Sequence, residues 1–118
     1  MTDLSSRPWF DDVDWLTLPD VAERLGTTAS RVRRLLEDRI LVGARIDGVR
    51  KVPAVFLVGG EPLHELKGTL TVLADNGFDD DESLDWLLSD EESLGTSPVA
   101  ALLAGRKAEV RRVAQSLL

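Results

Sequence analysis

Apolar residues recur at intervals of three and four from Leu18 to Leu36, then at intervals of about two from Leu41 to Val52. That change of period predicts two helices followed by a hairpin. Thr17 is placed to cap the first helix, with Pro19 near its start, where a missing N–H costs nothing, and with Val21, Ala22 and Leu25 on its apolar side. Gly26 stops it, and the small Ala22 four residues earlier suits the close corner of a helix-turn-helix. Thr27 or Thr28 can cap a second helix from Ala29 to about Asp38, with Val32, Leu35 and Leu36 facing inward and Ser30, Arg31, Arg33 and Arg34 outward. Beyond Arg39, Leu41, Val42, Ala44 and Ile46 lead into Asp47-Gly48, and Val49 and Val52 lead out. An Asp-Gly pair between such runs predicts a hairpin with a type I′ turn, which needs positive φ at both central residues.

The flanking segments follow the same rules. Met1 to Pro8 is polar and reads as a flexible tail, and Trp9, Phe10, Val13, Trp15 and Leu16, interleaved with Asp11, Asp12 and Asp14, read as an aromatic turn packed on the helix-turn-helix core. Ala54 to Val58 is apolar, with Phe56 and Leu57 seating the hairpin, and Gly59-Gly60 marks a boundary. A helix is expected over Glu61 to Asp75, ended by Asn76-Gly77; a second starts at a capping box of Asp79 and Glu82 and carries Leu84, Trp86, Leu87 and Leu88. Ser97-Pro98 opens a third, and after Gly105 a last helix carries Val110, Val113, Ala114 and Leu117 to the terminus. The predicted fold is mainly α: a tail and aromatic turn over 1–14, a winged helix-turn-helix with a small β-hairpin wing over 15–58, and a C-terminal helical subdomain over 61–118.

Charge sharpens this picture. The chain carries a net charge of −7, yet Arg24 to Lys51 holds eight basic residues against three acidic ones, while Asp75 to Glu92 holds nine acids and no base. DNA responds to the local field, because salt screens charges beyond about 10 Å. The basic helix and basic hairpin are therefore the expected DNA face, made of Thr28, Ser30, Arg31, Arg33, Arg34, Arg45, Arg50 and Lys51. Ser30, Arg31 and Arg34 are expected toward base edges, Arg33 sharing that role or reaching phosphate, and Arg45, Arg50 and Lys51 on phosphate. The acidic block reads as helix capping and solvation, since its residue order lacks the spacing of a Ca²⁺ loop.

Catalytic chemistry finds little support. The chain has no Cys and one His, His64, which excludes thiolate and His-rich metal sites, and Gly59-Gly60 lacks the spacing and the Lys of a phosphate loop. The paired carboxylates lie in a like-charged polar block with no apolar pocket to raise one pKa. The expectation is a non-enzyme without metal or cofactor. No apolar run reaches a membrane span of roughly 18 residues, so a cytoplasmic, nucleoid-associated protein is expected. Its partners would be double-stranded DNA and a second copy of the chain, because one winged unit with about six phosphate contacts binds modestly at physiological salt.

Leu18-Pro19-Asp20-Val21-Ala22-Glu23-Arg24-Leu25-Gly26, Arg31 to Asp38, Asp47-Gly48-Val49 and Val52 to Leu57 resemble a small actinobacterial winged-helix DNA-binding family, whose best-known member is a substrate of a membrane-bound Ser/Thr protein kinase. The resemblance continues through Leu66 to Leu73, Asn76-Gly77-Phe78 and Trp86-Leu87, nearly the whole chain from Trp15. The helix-turn-helix half is also similar to the excisionase and MerR type, and Ser97 to Arg106 with Glu109-Val110 is similar to the C-terminal module of Xre/MbcA/ParS antitoxins. The first resemblance implies sequence-dependent DNA binding switched off by a Ser/Thr kinase acting on the N-terminal tail. Here the tail is short and offers Thr2, Ser5 and Ser6 in place of a single Thr motif. A rival use of the same residues is a protein-interaction module or antitoxin-like subunit that engages a protein partner through its C-terminal helices.

Overall fold

The computed structural model describes residues 3–117. A short strand, β1 (Trp15–Thr17), leads directly into α1 (Leu18–Leu25), and α2 (Ala29–Glu37) follows across a three-residue turn. The α1 start has the full reciprocal cap: Asp20 N–H donates to the Thr17 hydroxyl and the Thr17 N–H donates to the Asp20 carboxylate. Gly26, at φ 67°, ends the helix in the left-handed region, where a Cβ would be strained. Thr28, not Thr27, caps α2, accepting from Arg31 N–H at 3.1 Å.

The wing is β2 (Ala44–Ile46) and β3 (Val49–Pro53), joined through Asp47 and Gly48 at φ 53° and 80°, the two positive values that the turn requires. Leu41 and Val42, expected in the first wing strand, are instead a buried connection before it. β3 is the central strand of a three-stranded antiparallel sheet in the order β1-β3-β2, with Leu16 opposite Val52. The third strand was not foreseen. Trp15-Leu16-Thr17 is too short to display a period, and what makes it a strand is the edge that β3 offers.

Two further expectations are corrected. Gly59-Gly60, with φ of 59° and 81°, turns a second hairpin, β4 (Leu57–Val58) on β5 (Glu61–Pro62). The helix expected from Glu61 therefore begins later, as α3 (Leu66–Asp75), because Glu61 and Pro62 are held extended against β4 and Leu63 N–H donates to the Phe56 carbonyl at 2.7 Å. Met1 and Thr2 lie outside the described residues, but the rest of the expected tail departs from a tail. Leu4–Ser6 forms a 3-10 turn with Leu4 buried, and Phe10–Asp12 forms another. Burying Leu4 supplies the apolar contact that a polar tail would lack.

The C-terminal part is α4 (Asp80–Leu88), α5 (Pro98–Leu103) and α6 (Lys107–Gln115) with α3. Asp79 and Glu82 form the capping box at α4, and Ser97 caps α5. One continuous core joins both halves: Val21, Val32, Val52 and Phe56 on one side, Leu66, Leu70, Leu73, Leu84, Leu87 and Val110 on the other. Trp9 ties them at the surface, its Nε1–H donating to Asp85 of α4 at 2.9 Å while Arg7 pairs with the same carboxylate at 3.6 Å. Trp9 thus bonds to the C-terminal part while packing on Phe10 and Trp15.

Candidate nucleic-acid interface

Val32, Leu35 and Leu36 are buried against α1, so the 100° step of the helix turns Ser30 and Arg34 to the opposite, outermost side. Arg31 and Arg33 stand on opposite flanks of that face. All four are exposed. Arg33 leans toward the first turn, its guanidinium donating to the Ser30 hydroxyl at 3.5 Å, and the Thr28 hydroxyl accepts the capping bond. Thr28, one of the two caps that the sequence offers, therefore has a structural duty at the helix end closest to Ser30.

On the wing, Arg45 lies directly opposite Arg50, and Lys51 lies opposite both Ala44 and Thr17. Directly opposed residues share a face of a sheet and neighbours along a strand do not. Arg45 and Arg50 therefore project together, from the face that also carries Leu16 and Val52, and Lys51 projects from the other. Two like charges directly opposed destabilise a sheet unless an anion lies between them. The Arg45 guanidinium reaches the Gly48 carbonyl at 3.4 Å, which holds it at the wing tip. Gly43, at the foot of β2, allows the hairpin its tight start: a Cβ there would stand 2.5 Å from the Lys51 carbonyl oxygen.

The ion pairs among the described residues are Arg7–Asp85, Arg39–Asp80 and Arg106–Glu109. None uses a cation of the expected DNA face. Arg39, counted in the basic stretch, has a left-handed backbone (φ 57°) and pairs at 3.5 Å with the first residue of α4. The acidic helix start is thus docked beside the end of the basic helix. Asp81, in the same turn, has its carboxyl pushed up from the ordinary carboxylate range, first by burial and then by Asp79 and Asp80. Of the phosphorylation candidates, Ser5 and Ser6 are exposed in the first turn; the Ser5 hydroxyl donates to the Asp3 carboxylate at 2.6 Å and the Ser6 hydroxyl to the Asp3 carbonyl at 2.9 Å. Thr2 lies outside the described residues.

An exposed helix of unpaired arginines beside a two-arginine hairpin is the layout of a winged DNA-binding unit. Residues 9–57 match the family model for the winged helix-turn-helix domain of DNA-binding protein Rv2175c, and residues 63–117 match that for the Rv2175c C-terminal domain of unknown function. The chain belongs to the Rv2175c family. The DNA-binding protein Rv2175c of Mycobacterium tuberculosis is 36% identical over 113 residues, which span 85% of this chain and 77% of that protein. The NMR structure of Rv2175c superimposes with a TM-score of 0.84 at 34% identity, covering 98% of this chain and 86% of that one. The fold expected from the sequence, a winged helix-turn-helix followed by a helical part, is the family fold.

Proposed function

We propose that this chain is a transcriptional regulator that binds double-stranded DNA with α2 in the major groove and the wing on the neighbouring backbone. The observation that carries the reading is the set of cations, exposed on α2 and exposed or half-buried on the wing, that no carboxylate pairs among the described residues. Arg34 and Ser30, outermost on α2, read base edges together with Arg31. Arg33, on the other flank, reaches phosphate. Arg to guanine is the commonest specific contact of this kind. Arg45 and Arg50 grip phosphate as a pair, Lys51 from the reverse side of the wing, and Thr28 presents the first turn of α2.

The protein works without catalysis, in the cytoplasm on the nucleoid, and as two copies on DNA. A Ser/Thr kinase modulates it through Thr2, Ser5 or Ser6. A phosphate adds about −1.5 to −2 charges at pH 7. On Ser5 it would stand beside the Asp3 carboxylate and undo the bonds that hold the first turn.

Fluorescence anisotropy on labelled duplex DNA at about 50 mM and about 200 mM salt tests the reading, because phosphate contacts lose affinity steeply over that range. Binding that collapses with salt is the expected result. No binding at the lower salt would overturn it.

A further inference from the structure

Away from the basic face, a cleft of about 630 Å³ opens between the N-terminal aromatic turn and the C-terminal helices. Its volume falls within the roughly 300–1,000 Å³ of small-molecule sites, which favour junctions between parts of a fold. The two halves of the chain both contribute: Trp9, Val13 and Val55 from one, Leu88 and Val99 from the other. These apolar side chains are buried or half-buried. Asp12, Asp14 and Asp90 also line it, and all three are exposed. No ion pair among the described residues engages any of these carboxylates.

Three negative charges around an apolar depression focus a negative potential into it. That excludes nucleic acid and organic anions and favours a ligand whose apolar body covers the lining while its positive group meets the carboxylates. We propose that this cleft binds a small organic cation, an amine or guanidinium carried on an apolar body. The body sits against Trp9, Val13, Val55 and Leu88, and the cationic group lies among Asp12, Asp14 and Asp90. The site is separate from the DNA face and stands whether or not that face reads DNA.

The test is a ¹⁵N–¹H NMR titration of the full chain with phenethylamine, set against 2-phenylethanol and 3-phenylpropanoate as neutral and anionic analogues of similar shape. Saturable shifts at the cleft amides are expected with the amine by about 10 mM, the range reached by ligands of so few atoms. The alcohol should bind about fivefold more weakly, the factor that one solvated charge pair supplies, and the anion should not bind. The triple variant Asp12→Asn, Asp14→Asn, Asp90→Asn should reduce the amine to the affinity of the alcohol with the remaining spectrum unchanged. Equal binding of amine and alcohol would overturn the proposal. So would the absence of saturable cleft shifts, or shifts spread over the acidic start of α4 and no stronger in the cleft.

Discussion

Arg34 is exposed and Arg50 half-buried, neither pairs with a carboxylate among the described residues, and the proposed reading gives them different tasks. Arg34 projects from the middle of the outer face of α2, where a side chain in the major groove meets base edges; Arg50 faces its twin Arg45 across the wing. Arg34→Ala should therefore relax sequence preference by about 1–3 kcal/mol, while Arg50→Ala should weaken all duplexes alike and lower the salt slope by about one. Binding titrations of each variant on matched and mismatched duplexes at several salt concentrations separate the two; an equal loss on every duplex for Arg34→Ala would refute base reading. Asp81 makes a prediction about pH. Its carboxyl is raised in the fold by burial and by Asp79 and Asp80, so the native state holds that proton more tightly than the unfolded chain does. Ionised Asp81 thus costs stability at neutral pH, and the cost is relieved as pH falls through the raised value toward the ordinary 3.8. Asp81→Asn should raise the thermal midpoint at pH 7, and its advantage over the native chain should shrink as pH approaches 4, followed by circular dichroism melts.

Among the elements, α2 and the wing depend on single residues at their ends. The Thr28 hydroxyl satisfies the Arg31 N–H at the start of a helix whose outer face is the exposed polar side chains of Ser30, Arg31, Arg33, Arg34 and Glu37. Thr28→Ala should cost about 1 kcal/mol in urea unfolding. If Thr28 serves only as a cap, the folded variant should keep its DNA affinity; an equal loss on every duplex at an unchanged salt slope would place its uncharged hydroxyl on phosphate. Gly43 is the corresponding point on the wing. An added methyl would run into the Lys51 carbonyl, which is backbone and cannot swing away. Gly43→Ala should therefore loosen the β2–β3 ladder, read as faster amide exchange at Ala44 and Lys51, and should weaken DNA binding more than the Arg50→Ala change alone.

Across the whole molecule the two halves behave as one body. The core runs without a break from Val21 and Phe56 to Leu73 and Leu84, and Trp9 and Arg7 converge on Asp85, whose side chain is only 27% exposed. A hydrogen bond to a charged acceptor is worth about 1.5–3 kcal/mol. Trp9→Phe and Asp85→Ala should each destabilise by about 1–2 kcal/mol, and by less than the sum of their separate costs when combined, because they remove the same bond. Chemical unfolding should stay a single transition in all three variants. Two transitions would mean that the halves fold independently. The same coupling explains why a protein of net charge −7 can carry a basic face: Arg39–Asp80 docks the start of the acidic helix beside the basic one, so opposite fields are held in place by packing.

The helix-turn-helix was legible because its determinants are local. Thr17, Gly26, Thr28 and the Asp47-Gly48 turn act within four residues of themselves, and the buried set Val21, Val32 and Leu35 follows from a period that any reader of the chain can count. The family fold and the unpaired cations of α2 rest on the same short-range rules. What the sequence could not decide involves partners far along the chain. Trp15-Leu16-Thr17 becomes a strand only because β3 lies beside it, and Leu4 ends the tail by being buried. Arg39, one of eight cations in a row of sequence, is paired because Asp80 is near it in space. Pairing across tens of residues leaves no period in the chain, so tertiary structure alone could place those residues, and with them the acidic cleft between the two halves.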